Sequence, residues 1–457
     1  MSNSILRLEI KARIELCLFN AFMILGNFGL LSSFSIPLND THTVKKSSNP
    51  CDRIPLKPQL WSDFEMNSYL DNYPGGNQIN LMDYAAKVGA TDFYVGIGEH
   101  PNPGQLCQPV KGKDWYTLVA IQNWNTYVNC LYDSAGFAFS VLSGVVPGML
   151  IDFEKDATLF YSHTASYVGL ATTWIVSFPG IILSSLGPYK GGMFCSMGDI
   201  AWNSLAGVMY ISASAAYVNS ILIVGNGEDR FKRSSVISRM LTDAQRGVQS
   251  TISNLTENVI RGPINQVSGL AGINRDGSFL SEIPTNFQSN LQIELELALK
   301  LKSLAKFWRV QNAFVVRGSD PCNQSGINGA FDSPEKISYC GDDNIMMNIV
   351  RAEKDGPSYD PTIYNAHLAE SKYGYSPNLL TTSAWECQKT HGVFEYDACS
   401  ANNSKNPETL LNDLKKPRDC YFNIPVCDLT QPALQVHHKK KSLTITEICR
   451  NFGGLPI

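Results

Sequence analysis

The sequence predicts a mainly α fold: a helical bundle with an apolar, small-residue centre, followed by a disulfide-rich, irregular C-terminal region. Three observations carry this. Only seven charged residues lie between Trp115 and Gly227, in a chain of 457 residues that is 17% charged. Two long stretches, 228–262 and 287–310, follow helical periodicity. Seven of the 12 cysteines come after residue 321, where Gly, Pro, Asn, Asp and Ser replace that periodicity.

Composition narrows the classes first. An apolar fraction of 44% supports a sizeable core and excludes global disorder. A net charge of −4 gives no field for a polyanion, so nucleic acid is not an expected partner.

In chain order, residues 1–35 read as a signal peptide. Arg7, Lys11 and Arg13 precede an apolar run, and Ser33 and Ser35 suit a cleavage site. The expected location is therefore secreted and extracellular. Residues 36–60, with four prolines, read as a linker. A turn-rich N-terminal region follows over 61–114. Asp71 to Gly76 marks a tight turn there, and Ile79 to Val88 a short helix buried on Leu81, Tyr84, Ala85 and Val88.

The bundle is placed at 115–317. Its apolar part, 115–227, contains three uncharged stretches: 134–151, 157–189 and 200–227. Small residues recur every four positions, as at Gly136, Ser140, Gly144 and Gly148, which predicts a face for close helix approach. Pro147, Pro179 and Pro188 are expected to kink or end helices. The amphipathic part, 228–262, aligns Ile237, Leu241, Ala244, Val248, Ile252, Leu255 and Val259 in a near-heptad seam, stopped by Gly262-Pro263. Residues 287–310 alternate like a strand, but Leu, Glu, Lys, Ala and Gln favour a helix buried on Ile293, Leu297, Leu301, Leu304 and Trp308. The cysteine-rich region fills 318–457.

No Cys-x-x-Cys pair occurs, so the cysteines read as a disulfide framework. Cys17 lies in the leader. The candidates are Cys51, Cys107, Cys195, Cys322, Cys340, Cys387, Cys399, Cys420, Cys427 and Cys449, with their pairing open. Cys130, inside an apolar helical run, is the expected free thiol. Asn39, Asn254, Asn323 and Asn402 begin glycosylation sequons.

No catalytic residue is named. The nucleophile elbow, the zinc-protease motif and the phosphate loop are all missing, and Val224-Gly-Asn-Gly227 lacks the third glycine of a dinucleotide fingerprint. Asp342-Asp343 reads as a surface turn, since neighbours on an extended chain point apart. His437-His438 lacks acidic or thiolate partners at metal spacing, and His100 and His163 are lone. Neither a cofactor nor a metal is expected. Trp115 and Tyr116, at the end of a Pro- and Gly-rich corner, are candidate surface-recognition residues.

Tyr73-Pro-Gly-Gly76, Val88-Gly-Ala-Thr-Asp92, Gly96-Ile-Gly98 and the corner from Pro103 to Tyr116 together resemble a family of secreted fungal proteins, known chiefly as a domain of unknown function. The resemblance spans most of the mature chain and is most specific from Tyr73 to Tyr116. It implies secretion and a shared fold, and no demonstrated activity. The family pattern has further cysteines around the Gly-Ile-Gly loop. Val95 and Pro101 stand near those places here, which leaves Cys107 needing a distant partner.

The functional expectation is a secreted, disulfide-stabilised, non-catalytic protein acting by interaction with a membrane, cell surface or cell wall. Membrane activity would come from an apolar hairpin over 157–225. The alternatives are a secreted hydrolase and a polytopic membrane protein.

Overall fold

Apolar residues recur so densely after Lys113 that one helix can bury almost every face. In the computed structural model, helix α4 runs from Lys113 to Phe153, 41 residues or about 60 Å long. The structure describes residues 50–52, 54–153, 230–281, 283–353, 356–393, 420–439 and 442–457. The signal segment, the apolar stretches 157–189 and 200–227, and the residues Cys17, His163, Pro179, Pro188, Gly225 and Gly227 lie outside these. So does most of the proposed linker, but its last residues are helical.

Among the described residues, three short helices precede α4. Pro58–Asp63 (α1) and Met66–Asp71 (α2) bury Leu60, Trp61, Met66 and Leu70. Leu81–Lys87 (α3) starts on a capping box, in which Asn80 and Asp83 each bond the other's backbone N–H. Leu81, Tyr84 and Ala85 face inward, as their spacing predicts.

Two amphipathic helices clasp α4. Arg230–Arg261 (α5) buries Ile237, Leu241, Ala244, Val248, Ile252 and Val259, the predicted seam. Phe287–Val310 (α6) has the predicted limits, but its buried face is rotated. Leu291, Leu295 and Leu299 join Leu301, Leu304 and Trp308 inside, while Ile293 is half exposed. Between the two helices, residues 262–281 fold tightly. A Cβ on Gly272 would sit 1.7 Å from the Val267 carbonyl oxygen, and one on Gly269 2.1 Å from that of Pro263. No side chain fits at either position.

The small-residue face of α4 departs from expectation. A Cβ on Gly136 would come within 2.9 Å of Gln249 Nε2, and Gln249 donates to the Tyr132 carbonyl at 3.2 Å, so α4 and α5 do cross closely there. Ser140 and Gly144 are exposed instead, and a Cβ on Gly144 would meet nothing. Pro147 neither ends the helix nor leaves the core.

The largest correction is C-terminal. A mixed sheet of five described strands is present: β1 (Ala313–Arg317) ends the stretch expected to be bundle, and β2 (Ile337–Cys340), β3 (Met346–Ala352), β4 (Tyr359–Asp360) and β5 (Val426–Asp428) lie in the region expected to be irregular. The order is β2-β3-β1-β5, with β4 also on β3, and only β1–β5 is parallel. Alternation splits β1 between two cores. Ala313 and Val315 face the bundle; Phe314 and Val316 face Leu434, Ile448 and Cys449. The sheet is buried on both faces, so its strands lack the polar alternation that marks a half-exposed sheet. Helices Pro377–His391 (α7) and Pro432–His438 (α8) also lie in this region.

Candidate interaction surface

Disulfides fix the chain's loops. Among the described residues, Cys51–Cys107, Cys322–Cys340, Cys387–Cys420 and Cys427–Cys449 are bonded. Cys107 thus finds a partner 56 residues away. Cys195 and Cys399 lie outside the described residues. Cys130 carries a free thiol, half-buried on α4. Burial pushes that thiol's pKa up, with the Asp133 charge adding to it, which favours the protonated form.

Among the described residues, the most exposed large apolar side chain sits in one of these closed loops. Strand β1 ends at Arg317, and Gly318 turns the chain at φ +83°, where a Cβ would meet Thr430 Cγ2 at 2.7 Å. Asn348 on β3 then holds Asp320 at 2.8 Å. From Cys322 the loop folds on itself. Gln324 N–H donates to the Gly329 carbonyl at 3.1 Å, and Gly326 N–H to that of Ala330 at 3.1 Å. A Cβ on Gly329 would approach the Cys322 carbonyl oxygen to 2.9 Å. The apex residue, Ile327, is 84% exposed. The disulfide to Cys340 ties this apex to the sheet.

Behind the loop lies a buried charge. Arg317 donates to Asp428 at 3.1 Å and to Thr430 at 3.0 Å, pairs with Asp343, and stacks over Trp385 at 4.6 Å. Asp343 belongs to the predicted Asp342-Asp343 turn, which joins β2 to β3. The two carboxylates diverge as expected: Asp343 takes Arg317, while Asp342 lies by Tyr339. Burial first, and then Asp342, raises the Tyr339 pKa.

The Pro- and Gly-rich corner is a packed joint. Tyr116 is 1% exposed and donates to the Asp52 carbonyl, so it offers nothing to a surface ligand. Trp115 is half-buried, with its indole N–H on the Gly104 carbonyl at 3.0 Å. Residues not singled out in the sequence fasten this region. Asn125 Oδ1 accepts from Gly96 N–H at 2.9 Å, and Asn129 Oδ1 from Gly98 N–H at 2.7 Å. Their amides donate to the Glu99 carbonyl. Asp114 accepts both Tyr69 and Tyr84 hydroxyls at 2.6 Å. Burial, reinforced by Asp114, raises both phenol pKa values. The available signal was two asparagines four apart in an apolar helix.

Among the described residues, no cluster of His, Cys, Asp and Glu is arranged to hold a metal. His437 stacks on Phe452, with ring centres 3.7 Å apart. Of the sequons, Asn254 and Asn323 are exposed, and Asn39 and Asn402 lie outside the described residues.

A family model described as "Domain of unknown function (DUF7872)" matches residues 225–457, just over half of the chain. The matched residues begin beyond the Tyr73–Tyr116 stretch that carries the sequence resemblance. Neither a curated protein nor a solved structure matches.

Proposed function

We propose, for a chain that belongs to the DUF7872 family of unknown function, that the protein is secreted and acts by binding, through the Cys322–Cys340 loop. The observation that carries this is Ile327, apolar, 84% exposed and held on a disulfide-closed, glycine-tight turn. A rigid apolar knob loses little conformational entropy when a partner covers it. Four disulfides are consistent with an extracellular setting. Asp114, Asp152, Arg317 and Asp428 each tie two or more segments together. The partner is a cell surface or cell wall. Co-sedimentation of the purified protein with washed cell-wall material and with intact cells tests this. Retention should fall at least tenfold in Ile327→Asp with unchanged circular dichroism; equal retention of both proteins would overturn it.

A second reading is membrane activity. It is supported by α4, whose most apolar 18-residue window has mean hydropathy 1.7 and is only 50% buried. Core helices of soluble proteins pass the same test, so this reading ranks second. Release of dye from anionic and neutral liposomes by the purified protein would promote it. Intact liposomes at every pH and composition would remove it.

A further inference from the structure

We infer that Asn323 is an N-glycan acceptor and that Asn254, although exposed, stays bare; this rests on the secreted reading above. The sequons differ in what surrounds the hydroxyl at their third position, which must be free for the transferase. In Asn254-Leu-Thr256 the chain is helical, in the interior of α5. Thr256 is 4% exposed, and its Oγ1 donates to the Ile252 carbonyl at 2.8 Å. In Asn323-Gln-Ser325 the chain is a loop, and both Asn323 and Ser325 are exposed.

Timing separates them further. A helix of this kind forms in about a microsecond, whereas disulfides form over seconds or longer. α5 is also supported by i,i+4 ion pairs, Arg239–Asp243 and Arg261–Glu257. The segment around Asn254 can therefore become helical before any disulfide closes. The loop around Asn323 is fixed only when Cys322 meets Cys340, 18 residues later. Until then the loop that carries Asn323 lacks its covalent closure. In the transfer, Asn323 Nδ2 forms a bond to C1 of a lipid-pyrophosphate-linked oligosaccharide. The bond from C1 to the pyrophosphate oxygen breaks, the lipid pyrophosphate leaves, and the amide gives one proton to a base on the transferase. Because Cys322 is adjacent, oxidation and glycosylation compete for the same open loop.

The test is expression in a eukaryotic secretory host in two arms. One arm uses the full chain with its own N-terminus. The other replaces residues 1–35 with a heterologous leader. Peptide-N-glycosidase digestion in ¹⁸O-water, followed by peptide mapping, reads occupancy at each asparagine. In the heterologous arm the Asn323 peptide should carry the label and the Asn254 peptide none. Asn323→Gln and Ser325→Ala should both lose it, and the double variant Cys322→Ser/Cys340→Ser should raise occupancy. A labelled Asn254, or a bare Asn323 in secreted protein, would overturn the inference. If only the heterologous arm is secreted and labelled, the secretion reading fails and the glycan site stands.

Discussion

Helix α5 lies on α4 through Ile237, Leu241, Ala244, Val248 and Ile252, one apolar residue per turn over about 25 Å. Strand β5 lies on β1 through three residue pairs and needs help from every side. Gln388 on α7 exchanges two hydrogen bonds with Val426, at 2.6 and 2.7 Å, standing in for a further strand at that edge. Cys427 is bonded to Cys449, and Asp428 to Arg317. The bundle is held by many similar apolar contacts, and the β1–β5 edge by a few specific links. The first arrangement tolerates loss of any one link; the second does not.

The junction between the two is where a single change costs most. Trp308 on α6 is fully buried and meets Phe153 of α4 and Phe422 of the C-terminal region edge-on, at 5.7 and 5.6 Å. Trp308→Ala should cost about 3–5 kcal/mol, read from the urea midpoint. Trp308→Phe should cost less than that, because among the described residues the indole N–H has no hydrogen-bond partner to lose.

The next test acts on the sheet alone. Cys427→Ser with Cys449→Ser should cost about 2–4 kcal/mol. Limited proteolysis should then cut the C-terminal region first, while far-ultraviolet circular dichroism keeps the signal of α4, α5 and α6. Loss of both together would mean that sheet and bundle unfold as one unit.

This contrast also explains what could be read from the sequence. The α5 seam and the limits of α6 were legible because they depend on residues three and four apart. The sheet was not, because its strands are three to seven residues long for the most part, buried on both faces, and paired across up to 111 positions, as in Val315 with Val426 and Arg317 with Asp428. The free state of Cys130 was legible from its apolar helical setting; the partner of Cys107 was not. At the N-terminal corner, Trp115 and Tyr116 read as surface-recognition candidates although Tyr116 is buried, and Asp114 was not visible as the anchor of Tyr69 and Tyr84. Nothing local tells which tyrosines a carboxylate will meet.

That anchor gives a pH test. Folded Tyr69 and Tyr84 hold their protons above the ordinary phenol range, through burial first and Asp114 second. Unfolded tyrosine gives up its proton at about pH 10. Above that pH the folded state therefore binds more protons than the unfolded one, and stability falls as pH rises. Denaturant midpoints between pH 9 and 11 should show this fall. Tyr84→Phe should make it shallower, and Asp114→Asn should do so by less, since burial remains.

The smallest global effect is expected at the loop that the asparagines hold. Asn129 binds the Gly98 N–H and, through its amide, the carbonyls of Gly96, Glu99 and Asn125. Asn129→Ala deletes these at once and should cost about 1–3 kcal/mol, the penalty for leaving buried backbone groups unpaired. Hydrogen exchange is the sharper measurement. The Gly98 amide should lose its protection by more than any amide of α5, because its acceptor is the deleted side chain while the α5 ladder is untouched. If protection falls equally along α5, the asparagine is part of the bundle's cohesion and the corner is not a separate attachment. If it falls only at Gly96–Glu99, the corner is joined to the bundle as the sheet is, by a few specific links on a helix that holds without them.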